Sequence, residues 1–416
     1  MSTKTVDDYS SIYIKNFFVL LSTTGEVVCT RSYQSENTQN AGMDNAALAS
    51  FASSAKHFVN YVQDSKQRAI AKKMAMSSKE TEDDEEVDQS KVHEFSFERE
   101  IYSFLKVGSH VLVAESGKGV GRQLAAQRLH GVRDMLLLLF GDPEEWSEDR
   151  FELDGLENVL DHLLVSNDPA FLMNGVRHVP LKTKAKDQIK RLVTSFENNP
   201  LVHYTMITLG RSVLFSSFPV EYTRLVSEFL LVRPLGSVRS TTIPIYMNNV
   251  WCQLVITRFR SFNMAVVTNI DSRSELNPGL VAFEEKFYEA ARMLPTEEPP
   301  VLLRHYADYK TAAFALVQPQ TGMVLVPELR DGPGAENDRI KEIFQWFFCR
   351  AKDMKESYQV SITMSANVYL FHSMCFHGCE VYALFSDKVE LSDVVEMCKD
   401  IVKTAKDKQV LGDTWD

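Results

Sequence analysis

The chain has 416 residues, more than one hydrophobic core usually serves, which points to two to four domains, with three the natural number. With 44% hydrophobic and 24% charged residues it is composed like an ordinary folded protein, which excludes wholesale disorder. A net charge of -11 without a long Lys/Arg stripe excludes a nucleic-acid protein, because neutralising phosphates takes clustered cations.

The first residues, MSTKTVDDYSS, lack the charged-then-apolar pattern of a secretory signal, and no apolar run approaches the ~18 residues of a membrane span. A cytoplasmic protein is expected. FFVLLSTTGEVVC (17–29) reads as strand, tight turn and strand, with Gly25 free to take positive φ. AALASFASSAKHFVNYVQ (46–63) follows, where Leu48, Phe51, Ala52, Ala55, Phe58, Val59 and Val62 make one apolar helical stripe that can cover a sheet. KKMAMSSKETEDDEEVDQSK carries seven acids among residues 80–88 and no aromatic residue, so a disordered acidic loop is expected over 72–92. EFSFEREIYSFLKVGSHVLVAES (94–116) resumes the strand signal with a turn at Gly108, and GRQLAAQRLHGVRDMLLLLF (121–140) reads as a largely buried helix. ELDGLENVLDHLLV (152–165) extends that unit as a helical tail.

The opening phrase returns as YTMITLGRSVLFSS from Tyr204 and as FALVQPQTGMVLV from Phe314. Each time a helix follows (220–232; 337–354), then strand candidates (TTIPIYM, VWCQLVITRF, FNMAVVTN; YQVSITM, VYLFHSMCF, CEVYALFS), then a closing helix (279–294; 391–408). Ser392 is placed to cap the last of these. KTKAKDQIKR (182–191), the densest basic stretch, spaces its charges as the solvated face of a helix. TEEPP (296–300) marks a boundary, since prolines stop helices. The chain therefore reads as an α+β protein of three tandem domains (10–170, 176–296 and 301–410), each a five-stranded antiparallel sheet flanked by helices. Six cysteines scattered through apolar segments suit reduced, core-packed thiols without disulfides.

The order β-β-α-β-β-β-α resembles the longin fold of vesicle-trafficking proteins, and three copies in one chain resemble the tri-longin family. VAESGKGVGRQLAAQRL (113–129) is similar to the family's strand-to-helix element, with Ser116, Gly119 and Leu124 in register. TIPIYM (242–247) is similar to the Tyr-Pro-Val-Tyr-Leu-Pro stretch of the planar-cell-polarity branch, although Met247 and Asn248 stand where that pattern has Leu-Pro. The long acidic loop is a second departure.

The remaining constellations read more simply as structure. ESGKGVGRQ places glycines between a strand and a helix, as in a phosphate loop, but matches neither GxxxxGK[ST] nor GxGxxG. His372, Cys375, His377 and Cys379 lie close in sequence, yet a tetrahedral zinc site wants ligands from separate elements, and Gly378 suits a hairpin turn. Neither a GxSxG elbow nor a Cys/His signature is present, so no catalytic, cofactor-binding or metal residue is assigned. The aromatics of QWFFCR (345–350) and KFYEAARM (286–293) sit at core spacing. Ser77, Ser78 and Thr81, each followed by acids, are candidate phosphorylation sites in a loop that otherwise serves solubility.

The resemblance implies a non-enzymatic planar-cell-polarity effector subunit in ciliogenesis and vesicle trafficking, cytoplasmic with recruitment to the basal body, and associated with the cytoskeleton. Its partners would be an Inturned-like longin protein, a WD-repeat subunit, a small GTPase of the Rab type and a phosphoinositide membrane surface. The alternative in the same fold is an endolysosomal tri-longin subunit of a Rab guanine-nucleotide exchange factor. A zinc enzyme centred on 372–379 is the reading from another class. On a helical wheel, Ser54, His57, Asn60 and Tyr61 fall opposite the apolar stripe of 46–63 and are the expected partner interface.

Overall fold

Phe17 to Leu20 are consecutive apolar residues, so a strand there can bury both faces, and all four are buried. A computed structural model describes residues 14–33, 92–96, 100–117, 120–153, 155–166, 168–179, 181, 183–232, 239–269, 273–292, 294, 311–326, 335–354, 361–366, 368–386 and 389–407. Strands β1 (Ile14–Leu21) and β2 (Val27–Ser32) pair antiparallel, Phe18 opposite Thr30, and Gly25 takes φ 75° in the turn. β3 (His93–Ser96), β4 (Glu100–Val107) and β5 (His110–Gly117) then run as a meander whose last strand returns beside β1, with Phe18 opposite Val113. The sheet order is β2-β1-β5-β4-β3. The segment expected as the first helix (46–63) and the acidic loop up to residue 91 lie outside the described residues.

The same order recurs twice. After the two-residue β6 (Val176–Arg177), strands β7 (Tyr204–Leu209), β8 (Ser212–Ser216), β9 (Ser240–Met247), β10 (Val250–Phe259) and β11 (Phe262–Thr268) are arranged β8-β7-β11-β10-β9. Strands β12 (Thr311–Gln318), β13 (Met323–Leu325), β14 (Ser361–Ala366), β15 (Tyr369–Phe376) and β16 (Cys379–Ser386) are arranged β14-β15-β16-β12-β13. The third sheet departs from the expected five antiparallel strands: it has six, because β6 adds in parallel to the edge of β13. A sheet edge presents unpaired backbone groups, and this one takes them from a segment upstream of the second repeat.

Ser11–Leu156 form one compact unit and Glu157–Asp416 another. In the first, helix α1 (Arg122–Phe140) packs on β4 and β5 through residues such as Leu129, Val132 and Leu136, all buried. Its C-terminal carbonyls are met by the following loop, which contains the short α2 (Glu148–Phe151): Trp146 Nε1 donates to Gly141 O at 3.1 Å, and the Arg150 guanidinium donates to Phe140 O. Phe140, Trp146 and Phe151 make edge-to-face contacts with one another there, and His110 packs beside Trp146 at 5.2 Å. Burial pushes the His110 pKa down.

The boundary falls at the start of α3 (Leu156–Val165), which from Glu157 on belongs to the second unit and is followed by α4 (Pro169–Leu172). Helices α5 (Thr183–Glu197) and α7 (Arg273–Ala291) lie together on one face of the second sheet, burying Ile189, Val193, Phe283 and Phe287 against Ile207, Val255, Met264 and Val266. Between them in sequence, α6 (Val220–Val232) packs against β8 and is buried from Thr223 through Phe229. In the third sheet, α9 (Leu391–Asp407) covers Leu316, Val381, Ala383 and Phe385, while α8 (Ala335–Met354) packs on β12, β15 and β16. Phe347 stacks on Phe371 at 5.4 Å and Phe348 meets Tyr382 at 4.8 Å, so the aromatic run of α8 is core. Ser392 lies inside the first turn of α9 instead of capping it, its hydroxyl turned to the Asp393 carboxylate.

Gly108 turns β4 into β5 at φ +55°, and a Cβ there would sit 2.6 Å from Pro143 Cβ. Gly378 also has positive φ, +75°, but open space around it. Chemical denaturation is expected to show Gly108→Ala destabilised by about 2–4 kcal/mol and Gly378→Ala by about 1 kcal/mol, the difference being the loop that closes over the β4–β5 turn.

Candidate interaction surface

One end of the second sheet gathers cations that are distant in sequence. β10 and β11 form a tight hairpin with Phe259 opposite Phe262, so the turn between them is Arg260–Ser261, and Arg260 takes φ 54°. Arg258 N–H donates to Arg239 O at 2.9 Å, which sets these two arginines on neighbouring chain segments where the chain enters β9. Like charges facing across a sheet repel. Arg239 pairs with Glu284 of α7, and Glu284 also accepts from Tyr288 Oη at 2.7 Å. The Arg260 guanidinium lies over the Tyr288 ring, 4.6 Å from its centroid, and Arg258 Nε donates to Arg260 O at 3.3 Å. Arg258 and Arg260 are exposed, and Glu284 is buried. Hydrogen bonding to Glu284 pushes the Tyr288 phenol up, burial adds to this, and the two guanidinium groups oppose it.

The basic helix predicted at 182–191 belongs to the same layer. Asn199, just past the end of α5, lies beside Gly279 early in α7, whereas Phe287, late in α7, touches Phe262 next to the arginine turn. The C-terminal end of α5 thus packs by the start of α7, and the N-terminal half of α5 carries Lys184 exposed and Lys186 half-buried. Guanidinium groups offer planar forks of donors that match carboxylate and phosphate oxygens, and Arg258 and Arg260 present two of them at the surface.

The expected interface residues Ser54, His57, Asn60 and Tyr61 lie outside the described residues. In the strand-to-helix element, the Ser116 hydroxyl donates to Ile101 O at 3.4 Å and Leu124 is buried, which gives both a place in the core; residues 118–119 lie outside the described residues. The cluster of His372, Cys375, His377 and Cys379 is a β-hairpin: Phe376 faces Cys379 across it and His377 and Gly378 form the turn, at φ 49° and 75°. Cys379 is buried on the α9 side, while Cys375 is exposed. Among the described residues no group of three or more His, Cys, Asp or Glu side chains could hold a metal ion.

His372 is 2% exposed, its Nδ1 is 2.8 Å from Thr363 Oγ1, and burial pushes its pKa below the ordinary 6.5. Above 6.5 the imidazole is neutral folded and unfolded, so it contributes nothing to the pH dependence; below 6.5 the unfolded chain takes up a proton that the folded chain refuses. Stability is thus expected to fall with acidification by up to about 1.4 kcal/mol per pH unit from this group, and His372→Gln to flatten that slope in denaturation curves between pH 7 and 5. No protein-family model matches the chain, and no curated protein matches it.

Proposed function

We propose that this chain is a non-enzymatic tri-longin subunit of the planar-cell-polarity type, which pairs with an Inturned-like longin protein and a WD-repeat subunit to recruit or activate a small GTPase of the Rab type in ciliogenesis and vesicle trafficking. The observation that carries this reading is the threefold recurrence of one sheet order, a hairpin followed by a three-strand meander whose last strand returns beside the first. Three similar modules offer extended surfaces, and surfaces are what such a subunit uses: nucleotide exchange follows from reshaping GTPase switch segments, which asks for docking faces and no catalytic side chain. The subunit works from the cytoplasm at the base of cilia. Partner contact is assigned to Ser54, His57, Asn60 and Tyr61, and contact with a phosphoinositide membrane to the arginine-rich end of the second sheet.

Affinity purification of the tagged full-length chain from ciliated cells, followed by mass spectrometry, is expected to return an Inturned-like longin protein and a WD-repeat subunit in stoichiometric amounts. Recovery of an endosomal longin partner in their place would move the assignment to the endolysosomal exchange-factor branch; recovery of no longin partner would remove it. For the membrane face, sedimentation with phosphatidylcholine vesicles carrying phosphatidylinositol phosphates is expected to weaken about tenfold or more in Arg258→Glu/Arg260→Glu, and to weaken with salt in the unmodified protein. Unchanged sedimentation would detach these arginines from membrane contact.

A further inference from the structure

Among the described residues, one short piece of chain lies along an edge of both the second and the third sheet. Val176 and Arg177 pair in parallel with Met323 and Val324 of β13, and the next residue, His178, forms a parallel bridge with Val213 of β8. Backbone groups on an extended segment point alternately to its two sides. Here Val176 N–H donates to Gly322 O in the third repeat at 2.7 Å, and Val179 N–H donates to Val213 O in the second at 2.9 Å. β8 and β13 occupy the same place in their repeats, the outer strand of the opening hairpin, so two equivalent sheet edges are closed by one segment.

The segment is anchored on both sides. Asp168 accepts from Arg177 Nη2 at 3.1 Å and Nε at 3.3 Å, pairs with Arg211 of the β7–β8 turn at 3.5 Å, and accepts from Ala170 N–H at 2.8 Å. Asn174 accepts from Arg224 of α6, and His162 of α3 pairs with Glu228 of the same helix. Arg224 and Glu228 are both buried, so each needs its partner. Contact with the third repeat is closer than any side chain permits: a Cβ on Gly175 would lie 2.1 Å from Val324 Cγ2 and 2.8 Å from Gly322 O, and one on Gly322 would lie 2.6 Å from Val220 Cγ1.

We infer that Asp168–Val179 is an intrachain strap: the edges of β8 and β13 form a seat for an extended segment, and filling that seat from within the chain makes the second and third repeats one mechanical body. The strap does not depend on the functional reading above. Its consequence is that surfaces on the two repeats are presented in a fixed relation.

The test uses the full chain with a site-specific protease sequence inserted between residues 295 and 310. After complete cleavage the two fragments are expected to co-elute in size-exclusion chromatography at micromolar concentration, held by the strap and not by the peptide linkage. Fragments that part in the otherwise unmodified protein would overturn the inference. Gly175→Val is expected to raise the fragment dissociation constant at least ~10-fold, about 1.4 kcal/mol. Should that variant not fold, as judged by circular dichroism of the uncut chain, Asp168→Ala removes the Arg177 and Arg211 anchor and is expected to act in the same direction. Unchanged fragment affinity in folded Gly175→Val, or in Asp168→Ala, would show that other contacts hold the repeats together and sink the strap.

Discussion

Each repeat depends on the pairing of its first strand with its last. The hairpin β1–β2 is local, but β5 reaches β1 from about ninety residues downstream and pairs with it from Ile14 to Leu21. The equivalent ladders, β7 with β11 and β12 with β16, close the other two repeats. That ladder makes the first strand an interior one, flanked by a partner on each side, where an apolar run can bury both its faces. A continuous apolar run such as Phe17 to Leu20 is stable only in that position. The meander is laid outward from there, and the helices find apolar faces on which to settle.

Once closed, such a sheet still has two edges, and the molecule treats them differently. β9 carries an exposed proline, Pro244, which has no N–H to offer to an incoming strand. β8 and β13 are instead satisfied by the chain itself through Val176 to Val179. The close approach at Gly175 and the buried charges of Arg224 and Glu228 accompany that choice: Gly175 and Val176 are themselves buried where the segment lies along the two edges, and a buried charge needs a partner.

Electrostatics show the same dependence on tertiary closure. The chain is acidic overall, at -11, and its basic residues look dispersed in sequence. Arg239 and Arg258 become neighbours because β9 and β10 pair, and Arg260 reaches Tyr288 because α7 crosses back over the same hairpin. The alternation Arg258-Phe259-Arg260 at a strand end is the one local sign, and without Arg239 and the buried Glu284 it reads as ordinary solvated turn chemistry.

The hairpin and the three further strands of each repeat, and the helices between and after them in the second and third, were legible in the residues, because apolar period and turn glycines are local properties: Gly25 and Gly108 mark turns, and the stripe of α9 marks a helix, whatever lies around them. So was the identity of QWFFCR and the 372–379 hairpin as core and sheet, which follows from spacing. The sixth strand of the third sheet was not legible, since Val176–Arg177 is too short to have a pattern and becomes a strand only because two edges flank it. Nor was the cationic end of the second sheet, since charge adjacency across strands depends on register, and register is settled by which faces are buried together. Sequence therefore determined the main strands and most of the helices and their order, through local stereochemistry and hydrophobic period; which edges are joined and which charges meet was decided by long-range pairing.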